Sequence, residues 1–133
     1  MPGYVVLTKN LPQLQPIILA AEALAKEDGE KFWDFQVVID GKTLQELTNK
    51  ETMRKFRMRA NNVNVKLKVC NMDLKTFEVD SGKIPDEFEV VDNAFTHILQ
   101  MQKQGYPSIK NEGQNRDAKL ILTLRYFSAV PVT

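Results

Sequence analysis

The stretch Val63-Asn64-Val65-Lys66-Leu67-Lys68-Val69-Cys70-Asn71-Met72-Asp73-Leu74 joins a strand-like pattern to a helix-like one and contains the only cysteine of the chain. Apolar and polar residues alternate along its first seven positions, and this period of two is typical of a strand. A side-chain cap from Asn71 or Asp73 can then start a short helix. The pattern therefore predicts that Cys70 lies where a strand ends and a helix begins.

This position permits two interpretations of Cys70. A thiol before a helix N-terminus meets unpaired backbone N–H groups and the positive end of the helix dipole, and both favour thiolate over thiol. Cys70 is therefore a candidate catalytic residue, a sulfur nucleophile. Free cysteine is also among the most buried residue types, so the alternative is a small buried hydrophobic residue that closes the strand.

Strand-like segments alternate with helical patterns on both sides of this stretch. Such alternation predicts a single α/β domain with a mainly parallel five-stranded sheet, right-handed crossovers and helices on both faces. We place this domain at residues 1–110. The predicted strands are 4–7, 35–39, 63–70, 88–91 and 106–109, and the predicted helices lie near 14–28, 44–60 in two pieces, 71–79 and 94–104.

Residues 111–133 form a C-terminal extension. A polar linker over residues 111–117 leads to a strand-like, strongly apolar segment over 118–127, with Thr123 and Arg125 interspersed. The five-strand unit is complete without this segment, so it is expected to cover either an edge of its own sheet or a neighbouring subunit. We expect the second.

Binding sites in parallel α/β sheets form outside the carboxyl ends of the strands, where the strand order reverses. An order of 2-1-3-4-5 would place that reversal between strands one and three. Cys70 would then share a crevice with the loop of Thr8, Lys9 and Asn10, and with Asn71. Lys9 is a candidate for favouring an anionic sulfur, although a polar loop after a strand needs no functional explanation.

Composition excludes several classes of protein. The chain has 133 residues, a formal net charge of +1, 43% hydrophobic and 26% charged residues, so no global charge favours nucleic acid or an anionic membrane. We expect no cofactor and no membrane span. A single cysteine excludes an intrachain disulfide and fits a cytoplasmic protein.

The only histidine, His97, does not complete a catalytic or metal site with Cys70. One cysteine and one histidine 27 residues apart are not a metal-ligand set, so we expect no metal. His97 lies on the last predicted helix, which we expect to pack far from the tip of the third strand. A Cys-His catalytic pair is therefore not expected.

The chain resembles the DsrE/DsrF-like family of small sulfur-relay proteins. The resemblance covers roughly residues 3–110 and lies in the strand ending Lys68-Val69-Cys70, the short helix after it, and the segment Gln102-Lys103-Gln104-Gly105-Tyr106. It implies a parallel α/β sheet and homo-oligomers such as dimers, trimers or hexamers. It also implies a sulfurtransferase-like role in which Cys70 carries sulfane sulfur between a donor and an acceptor protein.

Two hypotheses follow from different classes of function. In the first, the protein is a sulfur carrier that acts through a reactive Cys70. In the second, it is a small oligomeric α/β protein with a structural Cys70, and it binds a ligand or protein partner at the crevice. The first requires an accessible thiol, whereas the second allows a buried one.

Overall fold

The computed structural model describes residues 3–111, which build a five-stranded sheet in which every neighbouring pair of strands is parallel. The predicted fold class is confirmed. The strands are β1 (Tyr4–Thr8), β2 (Phe35–Ile39), β3 (Val65–Cys70), β4 (Glu89–Val91) and β5 (Ser108–Asn111). The α-helices are α1 (Leu14–Asp28), α2 (Lys50–Asn62), α3 (Asn71–Thr76) and α4 (Ala94–Lys103), and short 3-10 turns cover Leu11–Gln13, Gly29–Lys31, Lys42–Thr48 and Ser81–Lys83.

The strand order is β4-β3-β2-β1-β5, so the expected order of 2-1-3-4-5 is wrong. Three successive crossovers carry the chain one strand further in the same direction, and only the return from β4 to β5 runs back across the sheet. Because crossovers are right-handed, the returning helix lies on the opposite face from the others. The reversal of strand order therefore lies between β1 and β5.

Two hydrophobic cores follow from this topology. The larger core joins α1, α2 and α3 to one face of the sheet, through residues such as Leu14, Met53 and Leu74. The smaller core lies under α4 on the other face and contains Cys70 and Ala94. Alternate residues of each strand point to opposite faces, so neighbours in the sequence contribute to different cores.

Local signals explain most of the element boundaries. The second helix is in two pieces as predicted, and the Asn49 side chain caps α2 by accepting the N–H of Thr52. β3 starts two residues later than predicted because Asn64 adopts a positive φ of 57°. β5 also starts two residues later, since Tyr106 turns into the core under α4.

Candidate functional site

Cys70 is the last residue of β3 and immediately precedes α3. Only 4% of its surface is exposed. Its side chain belongs to the core under α4, with Val38 and Ala94 among its companions. The predicted position at the carboxyl end of a strand is thus confirmed, and the thiol is buried there.

The sulfur of Cys70 accepts a hydrogen bond from a helix N-terminus. The backbone nitrogen of Ala94, the first residue of α4, lies 3.3 Å from Sγ. The Asn93 side chain accepts the next two N–H groups, those of Phe95 and Thr96. The N–H groups at the start of a helix carry a positive partial charge, and the Cys70 sulfur lies beside the first of them in α4.

The start of α4 lies against Cys70, so the expectation that the last helix packs far from the tip of β3 is wrong. Two contacts join the starts of α3 and α4. The N–H of Met72 donates to the carbonyl of Asp92 at 3.2 Å, and the Asn93 amide nitrogen lies 3.0 Å from the Met72 sulfur. The return crossover to β5 brings α4 over the carboxyl end of β3. The positions of the strands along the sequence do not predict this contact, because they do not give the order of the strands in the sheet.

The prediction that Asn71 or Asp73 caps α3 is wrong. Asn71 is the first residue of α3, and the capping position belongs to Cys70 itself, without a side-chain cap. The Asp73 carboxylate instead accepts the N–H of Gly41 at 2.7 Å. Gly41 adopts a φ of 84°, which favours glycine, so Asp73 stabilises the turn after β2.

Thr8, Lys9 and Asn10 do not share a crevice with Cys70. β2 lies between β1 and β3. Thr8 is two residues after Val6, so its buried side chain points to the same face as Val6, the face of the larger core. Cys70 points to the opposite face. The three residues lie instead at the reversal between β1 and β5. The Thr8 hydroxyl accepts the N–H of Asn10 at 3.2 Å, as in an ordinary polar turn.

Asp40, the residue that follows β2, is a buried carboxylic acid that was not among the predicted site residues. Within residues 3–111 its Oδ1 has no hydrogen-bond partner. Burial raises the pKa of Asp40. The positive charge of Lys9 lowers this pKa, the negative charge of Asp73 raises it further, and the positive charge of Lys110 lowers it again, but burial has the largest effect. An acidic residue directly after an apolar strand was the available signal, because parallel strands bring such positions to one edge of the sheet.

A buried polar network lies between the sheet and α4. Tyr106 and Gln36 donate to Oδ2 of Asp34, and the Lys66 ammonium lies 3.0 Å from Oδ1. Burial alone would raise the pKa of Asp34, but the hydrogen bonds from Tyr106, Gln36 and Lys66 outweigh it and lower that pKa. Burial, followed by the bond to Asp34, raises the pKa of Tyr106 to about 12, so Tyr106 remains a donor at neutral pH.

His97 joins this network through Gln36. Its Nε2 lies 2.6 Å from Oε1 of Gln36. Burial, followed by the charge of Lys68, lowers the pKa of His97. Within residues 3–111 no group of three or more His, Cys, Asp or Glu side chains is arranged to hold a metal ion. In the same range no helix has the length and apolarity needed to cross a membrane.

No protein-family model matches the chain, and no curated protein sequence matches it. Solved structures with the same fold include the following two. MTH1491 from Methanobacterium thermoautotrophicum, a protein of unknown function, aligns with a TM-score of 0.65 at 18% sequence identity, covering 80% of this chain and 98% of that chain. BT1422 from Bacteroides thetaiotaomicron, a conserved protein of unknown function, aligns with a TM-score of 0.60 at 14% identity, covering 81% of this chain and 93% of that chain. At these identities the likeness establishes the fold alone.

Proposed function

We propose that the protein is a sulfur carrier, a sulfur-transfer accessory protein that holds sulfane sulfur on Cys70 as a persulfide. The observation that carries this proposal is the hydrogen bond from the Ala94 N–H to the Cys70 sulfur at the start of α4. Sulfur transfer requires a thiolate, and a helix N-terminus stabilises negative charge on sulfur. The parallel α/β fold and the order of strand, cysteine and short helix are those that the DsrE/DsrF-like resemblance implies.

Loading and unloading each move one sulfur atom without net oxidation. The Cys70 thiolate attacks the terminal sulfur of a donor protein's persulfide, the donor S–S bond breaks, and the donor cysteine leaves as a thiolate. An acceptor thiolate then attacks the terminal sulfur on Cys70, and Cys70 leaves as a thiolate in turn. Negative charge is therefore present on the Cys70 sulfur before loading and returns to it on unloading, where the Ala94 N–H accommodates it.

Because Cys70 is 4% exposed, both steps require its surroundings to open. Met72 and Asn93 hold the starts of α3 and α4 together beside the sulfur. Met72 is 55% exposed, so a partner protein can reach it from solvent. We therefore place the opening at this pair, with docking of the donor or acceptor as the event that separates it.

Intact-mass spectrometry tests the proposal directly. The protein and its Cys70→Ser variant are incubated with a cysteine desulfurase and cysteine, and their masses are compared before and after reduction. We expect an adduct of one sulfur atom on the native protein, removed by reductant, and none on the variant. The variant contains no cysteine, so an adduct on it would arise elsewhere. If the native protein takes up no sulfur while a known carrier does in the same mixture, the proposal fails.

The resemblance extends the proposal to partners and location. We propose a cytoplasmic homo-oligomer, a dimer, trimer or hexamer, that exchanges sulfur with separate donor and acceptor proteins and has no direct contact with nucleic acid or membrane. Exposed large apolar residues on α4, Phe95 and Leu99, support an oligomer interface on that helix. Light scattering coupled to size-exclusion chromatography measures the molar mass of the assembly. A monomer at all concentrations would contradict the proposed homo-oligomer.

A second candidate function is favoured by the burial of Cys70. In this alternative Cys70 is structural, and a ligand or protein partner binds at the β1–β5 reversal, near Thr8, Lys9 and Asn10. One strand away, the Asp40 oxygen has no hydrogen-bond partner among the residues that the structure describes, and this observation supports a polar ligand there.

An NMR titration separates this alternative from sulfur transfer. Glycerol 3-phosphate is a suitable probe because it carries hydroxyl donors for a carboxylate and an anion for the nearby lysines. Shifts at the amides of Lys9 and Asn10 that are reduced in Lys9→Ala would support ligand binding at the reversal. Shifts spread over the surface, or none, would contradict it.

A further inference from the structure

A cleft of about 320 Å³ lies between α2 and the segment that leads into β4. Four of its lining residues lie on one face of α2, because they are three, four and seven positions apart from the first; they are Arg54, Arg57, Met58 and Asn61. Glu87, two residues before β4, completes the lining. The cleft therefore contains two guanidinium groups and one carboxylate.

Both walls of this cleft are anchored by buried neighbours. On α2, Met53 and Ala60 are buried in the larger core. On the other side, Phe88 is buried in the same core, and its N–H donates to the carbonyl of Pro85 at 3.0 Å, which closes a turn around Glu87. The cleft is thus preformed, and a partner that binds there does not have to order it.

The ion pair between Arg57 and Glu87 shows that the cleft holds a carboxylate. Their side chains are 29% and 51% exposed, so the pair is partly withdrawn from water. Arg54, one turn earlier on the same face, is exposed and forms no ion pair within residues 3–111. A guanidinium group presents parallel N–H donors that match a carboxylate, so a carboxylate from outside the chain would fit Arg54 as Glu87 fits Arg57.

The charge of α2 favours an anionic partner. The helix has five cationic side chains and one acidic side chain, although the formal net charge of the whole chain is only +1. Two of the five cations are paired within the fold, Arg57 with Glu87 and Arg59 with Glu22. The remaining positive charge is concentrated on the exposed side of this one helix, and it raises the local concentration of anionic groups.

The surroundings of the cleft favour an acidic protein segment over nucleic acid. A nucleic acid carries a phosphate at every nucleotide, and the carboxylates of Glu51 and Glu87 would repel such a continuous row of charges. Single-stranded nucleic acid also stacks on aromatic rings, and none of the five lining residues is aromatic. Met58 is 58% exposed and offers an apolar contact to the side chains that separate acidic residues in a protein.

We propose that this cleft binds an acidic segment of a partner protein, with the Arg54 guanidinium paired to a partner carboxylate and Met58 in contact with an apolar side chain beside it. Asn61 supplies amide donors at the other end of the cleft. Cys70 takes no part, so the sulfur-carrier proposal can fail without affecting this one. The cleft also does not involve residues 118–127, which lie outside the described residues, and their expected contact with a neighbouring subunit stays a prediction.

An NMR titration of the full chain with the capped peptide Glu-Glu-Leu-Glu-Glu-Leu tests the proposal. The ionic strength is kept at about 0.15 M, where exposed charges more than about 8 Å apart are largely screened. We expect the amide signals of Arg54, Met58 and Asn61 to shift with the peptide. A thymidine hexanucleotide, titrated in the same way, should bind more weakly.

Arg54→Gln and Lys55→Gln form a matched pair of substitutions. Both remove one positive charge from neighbouring exposed positions of α2, but only Arg54 lines the cleft. We expect Arg54→Gln to weaken peptide binding by about threefold to fivefold, as for the loss of a partly exposed ion pair. Lys55→Gln should leave the affinity nearly unchanged, and both variants should keep the remaining native amide signals.

Glu87→Gln should strengthen peptide binding, because it leaves the Arg57 guanidinium without its carboxylate and so available to the peptide. Glu51→Gln is the control, since it removes the same charge from α2 without releasing an ion pair of the described residues. The increase should be larger for Glu87→Gln than for Glu51→Gln.

Three results would overturn the proposal. The first is a peptide that leaves the signals of Arg54, Met58 and Asn61 unshifted. The second is an equal loss of affinity in Arg54→Gln and Lys55→Gln, because the peptide would then be attracted to the charge of the helix and not bound in the cleft. The third is tighter binding of the hexanucleotide than of the peptide at the same residues, which would assign the surface to nucleic acid.

Discussion

The backbone N–H of Ala94 donates a hydrogen bond of 3.3 Å to the sulfur of Cys70, 24 residues earlier in the chain. This contact joins the carboxyl end of β3 to the start of α4, two elements that belong to different crossovers. It places the only cysteine at the positive end of a helix dipole while the fold keeps its side chain out of solvent.

Removing this hydrogen bond should slow the reaction of the thiol. Ala94→Pro eliminates the N–H, and proline is tolerated at the first position of a helix. Asn93 already has the extended backbone that a following proline requires, with φ −145° and ψ 124°. A hydrogen bond to a charged group contributes about 1.5 kcal/mol, so we expect the iodoacetamide reaction rate at pH 7 to fall about tenfold.

Ala94→Gly is the control for this substitution, because it also changes the buried side chain but retains the N–H. It should react at nearly the native rate, and both variants should keep the native far-UV circular dichroism spectrum. Equal rates in Ala94→Pro and Ala94→Gly would mean that the N–H does not influence the sulfur.

The thiol should be protected from reagents by the contact between α3 and α4. Met72→Ala removes the sulfur that Asn93 contacts, so we expect Cys70 to react with a disulfide reagent severalfold faster than in the native protein. Met58→Ala on α2 is a matched control, since Met58 is 58% exposed and Met72 is 55% exposed. An equal acceleration by both substitutions would indicate general destabilisation and not local opening.

Because of the network around Asp34, the free energy of unfolding should depend on pH in the acidic range. The folded state lowers the pKa of Asp34, so its contribution to stability is present above the ordinary pKa of about 3.9 and is lost as the pH falls through the folded value. Tyr106→Phe removes one donor to this carboxylate, which we expect to destabilise the protein at pH 7 by about 1–3 kcal/mol.

Urea unfolding at several pH values between about 3 and 7 measures this effect, with the Tyr106→Phe variant compared to the native protein. The difference between the two should shrink as the pH falls below the ordinary pKa of about 3.9 and through the lower pKa of folded Asp34, because protonation then weakens the bond from Tyr106 in the native protein. A difference that is independent of pH would show that Tyr106 acts through packing alone.

Asp40 should show the opposite pH dependence. Burial raises its pKa in the folded state, so folding favours the protonated acid and the carboxylate destabilises the fold as the pH rises above the ordinary value. Asp40→Asn should therefore raise the urea midpoint at pH 7 and leave it nearly unchanged at about pH 3.

Asp34→Asn is the matched control for Asp40→Asn, because it is a second buried aspartate with a shift in the opposite direction. It should lower the midpoint at pH 7. If Asp40→Asn also lowers the midpoint at pH 7, then the Asp40 carboxylate has a stabilising partner within the protein and does not need a ligand to pair with it.

Local patterns were sufficient for much of this fold. Alternation predicted β3, and the succession of strand-like and helical patterns predicted the α/β class. Each of these features depends on residues a few positions apart, so the sequence displays it directly. The functional role of Cys70 remains a prediction.

The relations between elements were not predictable in the same way. The order β4-β3-β2-β1-β5 places β2 between Cys70 and the Thr8 loop and brings α4 over Cys70. Asp40 was not among the predicted site residues, because the charges that act on its carboxyl come from Lys9, Asp73 and Lys110, which lie far from it in the chain.

The class of fold, the positions of most strands and helices, and the placement of one cysteine at a strand end before a helix could be read from the amino-acid sequence. The helix N-terminus that faces the sulfur, the burial of the thiol and the point where the strand order reverses could be read only from the folded chain. Propensities, caps and periodicity act within a few residues, whereas strand order and burial arise from packing between segments far apart in the chain.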